Sequence, residues 1–250
     1  MSSKRGQAVL TAIGLLLFLA LWELVGRFRL AGATLPPVSL VLSFLADPAR
    51  RPLFERALTA TVSSAGYGYL IGGFVGIGFA LLGRALPVLK PGADRTAAAI
   101  SAIPPIALGP VFVIIASRET TPMALSALMV FFAFYVAASS GLAQATPTHR
   151  NMMTALGASR FAKLIHLDLP ASLPSLVGGM KYGIPTALIG AILGEWFGAS
   201  RGLGVLIVSA MQNFQIPLLW SAVLLVSLTS LAAYGVVSLL ERVVEERFGA

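Results

Sequence analysis

Apolar runs dominate this chain, and polar residues fall in the gaps between them. Six runs are long enough to cross a bilayer as a helix, which takes about 20 residues. They cover 8–26, 63–83, 97–117, 121–143, 176–196 and 217–240. The pattern predicts an all-α polytopic membrane protein with about six transmembrane helices. The first run follows Lys4 and Arg5 and precedes Ala31-Gly32-Ala33, a small-residue triplet of the kind a signal peptidase cuts. It is longer than a signal-peptide core of about 7–15 residues, so it is read as a retained first span. Residues 1–58 then hold that span and an outer loop, and residues 59–245 hold the main transmembrane domain.

Special residues punctuate the runs. Gly68, Gly72 and Gly76 recur at four-residue spacing. That register favours a seam where another helix approaches closely over glycine that is merely tolerated. Ile103-Pro104-Pro105 and Pro110 interrupt the third run. Proline frees backbone carbonyls and kinks a helix, and in a bilayer those groups need protein or cavity water. Pro104 and Pro105 are therefore candidates for lining a path, with a purely structural kink as the alternative. The fifth run carries Lys181 near one end and Glu195-Trp196 near the other, where Trp196 fits an interfacial anchor. Beyond it, 198–204 reads as a flexible loop, 205–214 as a short helix lying at the surface, and 241–248 as a short charged helix in water.

Composition agrees with the pattern. The chain is 57% hydrophobic and 11% charged, against about 25% charged in soluble domains, so lipid has to cover much of it. The net charge of +8 lies mostly in the gaps between runs, which reads as membrane-flanking charge and not as a nucleic-acid surface. There are no cysteines, which removes disulfides and thiolate chemistry. With six spans both termini share a side, and that side collects ten basic residues against seven. The majority favours N-in and C-in, although the arginines of the first outer loop pull the other way. Residues 146–170 then lie in the cytoplasm.

That stretch is unlike its surroundings. Asn151 to Leu156 forms a helical turn or two with an apolar face of Met152, Met153 and Leu156. Gly157 breaks it, Ser159 is placed to cap a second helix, and Phe161, Leu164 and Ile165 repeat at helical spacing before Pro170 ends the unit. An amphipathic helix–glycine–helix this short needs something to bury its face against, either the membrane surface or a groove on a partner protein.

The segment "ALGASRFAKLIHLDLP" resembles the cytoplasmic signature loop of ABC-importer permeases, whose pattern is Glu-Ala-Ala, then a glycine, then a Leu-Pro pair. Gly157 and Leu169-Pro170 match it. "TLPPVSLVL", "AIPPIALGPVFVI" and "GEWFGASRGLG" resemble the nitrate, sulfonate, taurine and thiamine-precursor branch, and the likeness covers roughly residues 34–240. It implies a multi-pass permease of the inner (plasma) membrane, paired with a second copy of itself. It also implies two ABC ATPase subunits that carry ATP and Mg, and an extracytoplasmic substrate-binding protein. This chain needs no cofactor or metal of its own and shows no G-x-x-x-x-G-K-[ST] phosphate loop. By resemblance, Asn151, Met152, Met153, Thr154, Ala155, Leu156, Gly157, Ala158, Ser159 and Arg160 form a coupling helix that contacts the ATPase. One departure stands out: Asn151-Met152-Met153 occupies the place of Glu-Ala-Ala, so the usual acid is missing.

Candidates for the translocation path are Pro104, Pro105, Phe132, Tyr135, Glu195 and Trp196. The aromatics could stack on a planar solute or simply pack in the membrane. Glu195 could gate the path, pair with Arg201, or sit at the interface. Two other classes fare worse. An ion-driven secondary transporter calls for carboxylates in the middle of its spans, and these runs hold none there. An intramembrane enzyme calls for a nucleophile–base pair or metal ligands, yet His149 and His166 flank the loop and no G-x-S-x-G occurs. The substrate expectation leans toward a small planar heterocycle such as a thiamine precursor, then a sulfonate, taurine or nitrate.

Overall fold

A computed structural model describes residues 4–248, and among them it is helical with no strand. The helices are α1 (Lys4–Arg27), α2 (Val38–Ala46), α3 (Arg51–Ala85), α4 (Lys90–Ala102), α5 (Pro105–Ile115), α6 (Thr121–Gly141), α7 (Pro147–Ala155), α8 (Arg160–Lys163), α9 (Leu169–Glu195), α10 (Leu203–Gln212) and α11 (Ile216–Phe248). Five stretches are each long and apolar enough to span a membrane, and α4 with α5 makes a sixth as a pair bent by 95°.

The core is α6 held between α3 and α9. The glycine register explains the first contact. A side chain on Gly72 would run into the backbone of Ala127, and a Cβ on Gly76 would stand 2.5 Å from the Phe131 carbonyl oxygen. Only hydrogen at these positions lets the two backbones meet, as in close-packed membrane helices. A second seam, absent from the sequence reading, lies on α9. Cβ atoms on Gly190 and Gly194 would collide with α6 at Ser126 and Pro122.

These contacts also fix the directions. Rising numbers on α3 meet rising numbers on α6, so the two are parallel, whereas α9 runs against them. Chain leaving α3 must therefore return before α6 begins. α4 starts among Ala80, Tyr135 and Leu142 near the end of α6, and α5 reaches the other end, where Gly109 lies under the Phe197 ring. The bent pair is thus a crossing, broken at Ile103-Pro104, where the proline at the head of α5 supplies no N–H. α3 ends, α9 begins and α11 ends at one extremity, which also carries 146–170 and is called the loop end below. α1 reaches the opposite end at Trp22, whose ring lies 5.3 Å from that of Trp220.

Several expected boundaries shift. The second span starts at Arg51, not near 63, so a division between 58 and 59 falls inside a continuous helix. Pro170 does not end the amphipathic unit. The chain stays helical from Arg160 to Glu195, through a π turn at Leu164–Asp168, and wider turns accommodate the N–H that proline lacks. α10 does not lie on the surface. Leu203, Leu206 and Ala210 are buried against Phe54, Ala57, Leu218 and Ala222. The charged tail is the continuation of α11 and no separate helix.

Candidate functional site

Two polar centres mark the two ends. At the loop end, Pro147 opens α7, and the Thr146 hydroxyl accepts from the His149 N–H at 3.4 Å. α7 closes in a Schellman arrangement: Gly157 N donates to Thr154 O at 3.0 Å and Ala158 N to Met153 O at 2.9 Å. Gly157 holds φ at +74°, a left-handed value that side chains resist. Ser159 then caps α8, accepting from Ala162 N at 3.1 Å.

Asp168 anchors this hairpin. Its side chain is 3% exposed, and it accepts from Arg84 at 2.6 Å and from Arg150 at 3.0 Å. One carboxylate thereby joins the end of α3, the short helix α7 and the start of the α9 span. Lys163 Nζ adds a tie from α8 to Thr154 Oγ1 of α7 at 2.8 Å. The sequence reading missed Asp168, because nothing local signals that two arginines far apart in the chain converge on it.

What the hairpin presents outward is apolar. Met152, Leu156 and Phe161 are 58%, 76% and 69% exposed, so they are free to be covered by something else. Leu164 packs against the core beside Ala80 and Leu142, Met153 and Ala158 are half-buried, and Asn151, Thr154, Ala155, Ser159 and Arg160 are exposed. Beside them lies a cavity of about 470 Å³ rimmed by Arg84, Arg150, Arg160 and Lys163, which gives this end a cationic concavity.

At the opposite end Glu195 is 2% exposed. It accepts from Thr61 Oγ1 at 2.6 Å and from Gly204 N at 2.6 Å, while Thr61 Oγ1 accepts from Leu203 N at 2.8 Å. Glu195 therefore braces α3, α9 and α10 together, and of its three sequence readings the pairing with Arg201 is not formed. Gly202 has no room for a side chain, since a Cβ there would overlap the carboxylate.

The other path candidates do not gather in one place. Tyr135 is buried toward the loop end and donates to Asp94 at 2.5 Å. Phe132 is exposed midway along α6, Trp196 is exposed just past the end of α9, and Pro104 and Pro105 sit at the break between α4 and α5.

Comparison with known proteins gives these ends a context. The formylaminopyrimidine transport permease protein ThiX of Halalkalibacterium halodurans is 27% identical over 239 residues, 95% of each chain. The riboflavin transport system permease protein RibX of Chloroflexus aurantiacus is 31% identical over 146 residues, 58% of this chain and 54% of that protein. The taurine transport system permease protein TauC of Escherichia coli is 30% identical over 109 residues, 43% and 40% of the two chains. The family model for binding-protein-dependent transport system inner membrane components matches residues 68–249, from the first seam glycine of α3 through α11. This chain, an ABC-type permease of the inner membrane, belongs to that family.

Proposed function

We propose that two copies of this chain form a translocation path for a small solute. Each would dock residues 147–163 into a separate ABC ATPase that carries ATP and Mg. A soluble binding protein would deliver solute at the opposite end. The loop end is then cytoplasmic, and both termini lie on that side.

The observation that carries this reading is the hairpin itself. Its base is fastened to α3 and α9 through Asp168, while Met152, Leu156 and Phe161 stand uncovered at its tip. A feature rigid at the base and apolar at the tip can transmit a push from a partner to the spans. Burying an apolar side chain of this size contributes about 1.5–3 kcal/mol, whereas an exposed ion pair contributes about 0–1 kcal/mol. Loss of the usual acid at Asn151 is thus small beside the contribution of the tip.

For the substrate, the relatives with a formylaminopyrimidine and a riboflavin name favour a small planar heterocycle. The taurine relative favours a sulfonate as the second reading. Reconstitution tests the function. Uptake into liposomes is expected only with an ATPase subunit and ATP, and uptake by the chain alone would overturn it in favour of gradient-driven transport.

A further inference from the structure

Four bases meet in the concavity of about 470 Å³ at the loop end: Arg84 from α3, Arg150 from α7, and Arg160 and Lys163 from α8. The acid in its lining is Asp168. Arg84 and Arg150 already share that carboxylate, and neither spends all of its N–H donors on it. Arg160 and Lys163 enter no ion pair among the described residues. Lys163 gives one bond to the Thr154 hydroxyl. Lys90, close to the end of α3, is matched by Asp94 at 2.8 Å and leaves the balance unchanged. Positive charge therefore exceeds negative in this recess, and its surplus donors suit an anion.

Depth and a second surface narrow the choice of anion. The 27 residues of α9 measure about 40 Å, close to the roughly 40–45 Å of a bilayer with its headgroups. Asp168 at the foot of α9 and Arg84 in the last turn of α3 therefore stand at the level of lipid headgroups. Ala85 and Pro87 continue the wall of the recess. They belong to the connector from α3 to α4, whose Leu86, Val88 and Leu89 are 52%, 91% and 50% exposed. Apolar side chains this bare gain by contact with hydrocarbon. A basic recess beside an apolar sill matches a molecule with an anionic head and acyl tails. Free phosphate, or an acidic side chain of a protein, answers only the first half of that pattern.

We propose that this recess binds an anionic phospholipid from the leaflet at the loop end. The phosphate sits among Arg84, Arg150, Arg160 and Lys163, and the acyl chains lie along Leu86 and Val88. Basic pockets at the ends of membrane helices suit such headgroups, and arginine can meet a phosphate with two parallel N–H bonds. Met152 and Leu156 do not line the recess, so a lipid there leaves them free for a partner. The lipid fastens the hairpin to the bilayer at a second point besides Asp168. None of this depends on the hairpin docking to an ATPase.

Native mass spectrometry of the purified full chain in detergent tests it. The probes are phosphatidylglycerol and phosphatidylcholine with the same acyl chains. Phosphatidylglycerol is expected to bind about tenfold tighter or more. Arg160→Gln combined with Lys163→Gln is expected to abolish most of that preference. Arg95→Gln combined with Arg242→Gln removes the same charge from exposed positions on α4 and α11 outside the recess, and is expected to keep it. Equal binding of the two lipids, or equal loss in both double variants, would overturn the proposal. Inorganic phosphate and a polyglutamate peptide are added as competitors at the concentration of the lipid, and neither is expected to displace it. Displacement by phosphate would assign the recess to a free anion, and displacement by the peptide to an acidic protein partner. Either result overturns the lipid. Val88→Ser is expected to weaken phosphatidylglycerol by about threefold or more, and unchanged affinity would overturn the tail contact.

Discussion

Thr61 and Glu195, 134 positions apart in sequence, meet through a 2.6 Å hydrogen bond in the buried interior. The same hydroxyl accepts from Leu203 N, so Thr61 bridges a carboxylate and a helix start. Thr61→Val keeps the volume and removes both bonds, leaving a buried carboxylate oxygen and a buried N–H unmatched. A loss of about 1–3 kcal/mol is expected, read as a lower unfolding temperature in detergent.

Gly157 is the second test. A side chain at φ +74° is strained, by about 1–2 kcal/mol for an ordinary residue and more for a β-branched one. Gly157→Val is expected to insert and fold, since nothing stands within 4 Å of the position. It should lose ATP-coupled uptake, because the hairpin can no longer close. Normal assembly together with normal uptake would remove the role assigned to the bend.

Asp168→Asn frees Arg84 and Arg150 from their shared carboxylate. Both guanidinium groups stay about 30% exposed, so the expected destabilisation is about 1–3 kcal/mol, below that of a fully buried pair. Hydrogen exchange should rise across Pro147–Ala155 more than in α6. Unchanged exchange there would show that the hairpin holds itself.

Leu156→Ser and Phe161→Ser address the uncovered tip. Both side chains are largely exposed in the chain alone, so its own unfolding temperature should hardly move. Affinity for the ATPase subunit should fall by about tenfold or more, the effect of losing roughly 1.5 kcal/mol or more of apolar burial. Copurification of the two subunits measures it.

The seams separate glycines that look alike in sequence. Gly72→Ala forces a methyl group into the Ala127 backbone, whereas Gly78→Ala meets nothing within 4 Å. The first is expected to cost about 1–3 kcal/mol by overpacking. The second should be neutral or slightly stabilising, since alanine favours helix over glycine. Thermal unfolding of the two variants side by side checks the contrast.

Much of the architecture was legible because hydrophobic length and local capping act over short distances. The spans, the Gly68–Gly76 face, the Gly157 bend and the Ser159 cap all follow from neighbours in sequence. The misplacements have two physical causes: a wider helical turn absorbs one proline, and elsewhere tertiary contact overrode a local signal. Pro170 reads as a helix end, but the π turn carries the chain past it. The 205–214 segment reads as a surface helix, because its burial under Phe54 and Leu218 depends on distant residues. Pairing with Arg201 is one of three readings that sequence allows for Glu195, yet the carboxylate turns inward to Thr61 and the guanidinium turns toward a cavity beside α3. Asp168 gave no signal at all, since its arginines come from α3 and α7.

The unbroken course from Arg160 to Glu195 has a mechanical meaning. Those 36 residues make a strut of about 54 Å, gripped by two arginines at Asp168, eight residues in from one end, and at Glu195, the other end, by the Thr61 hydroxyl of α3 and the Gly204 N–H of α10. Such a strut has little slack. Tilting it at the hairpin swings the far tip, with α10 riding along, and the softer joint at Ile103-Pro104 is where the surrounding frame has room to flex.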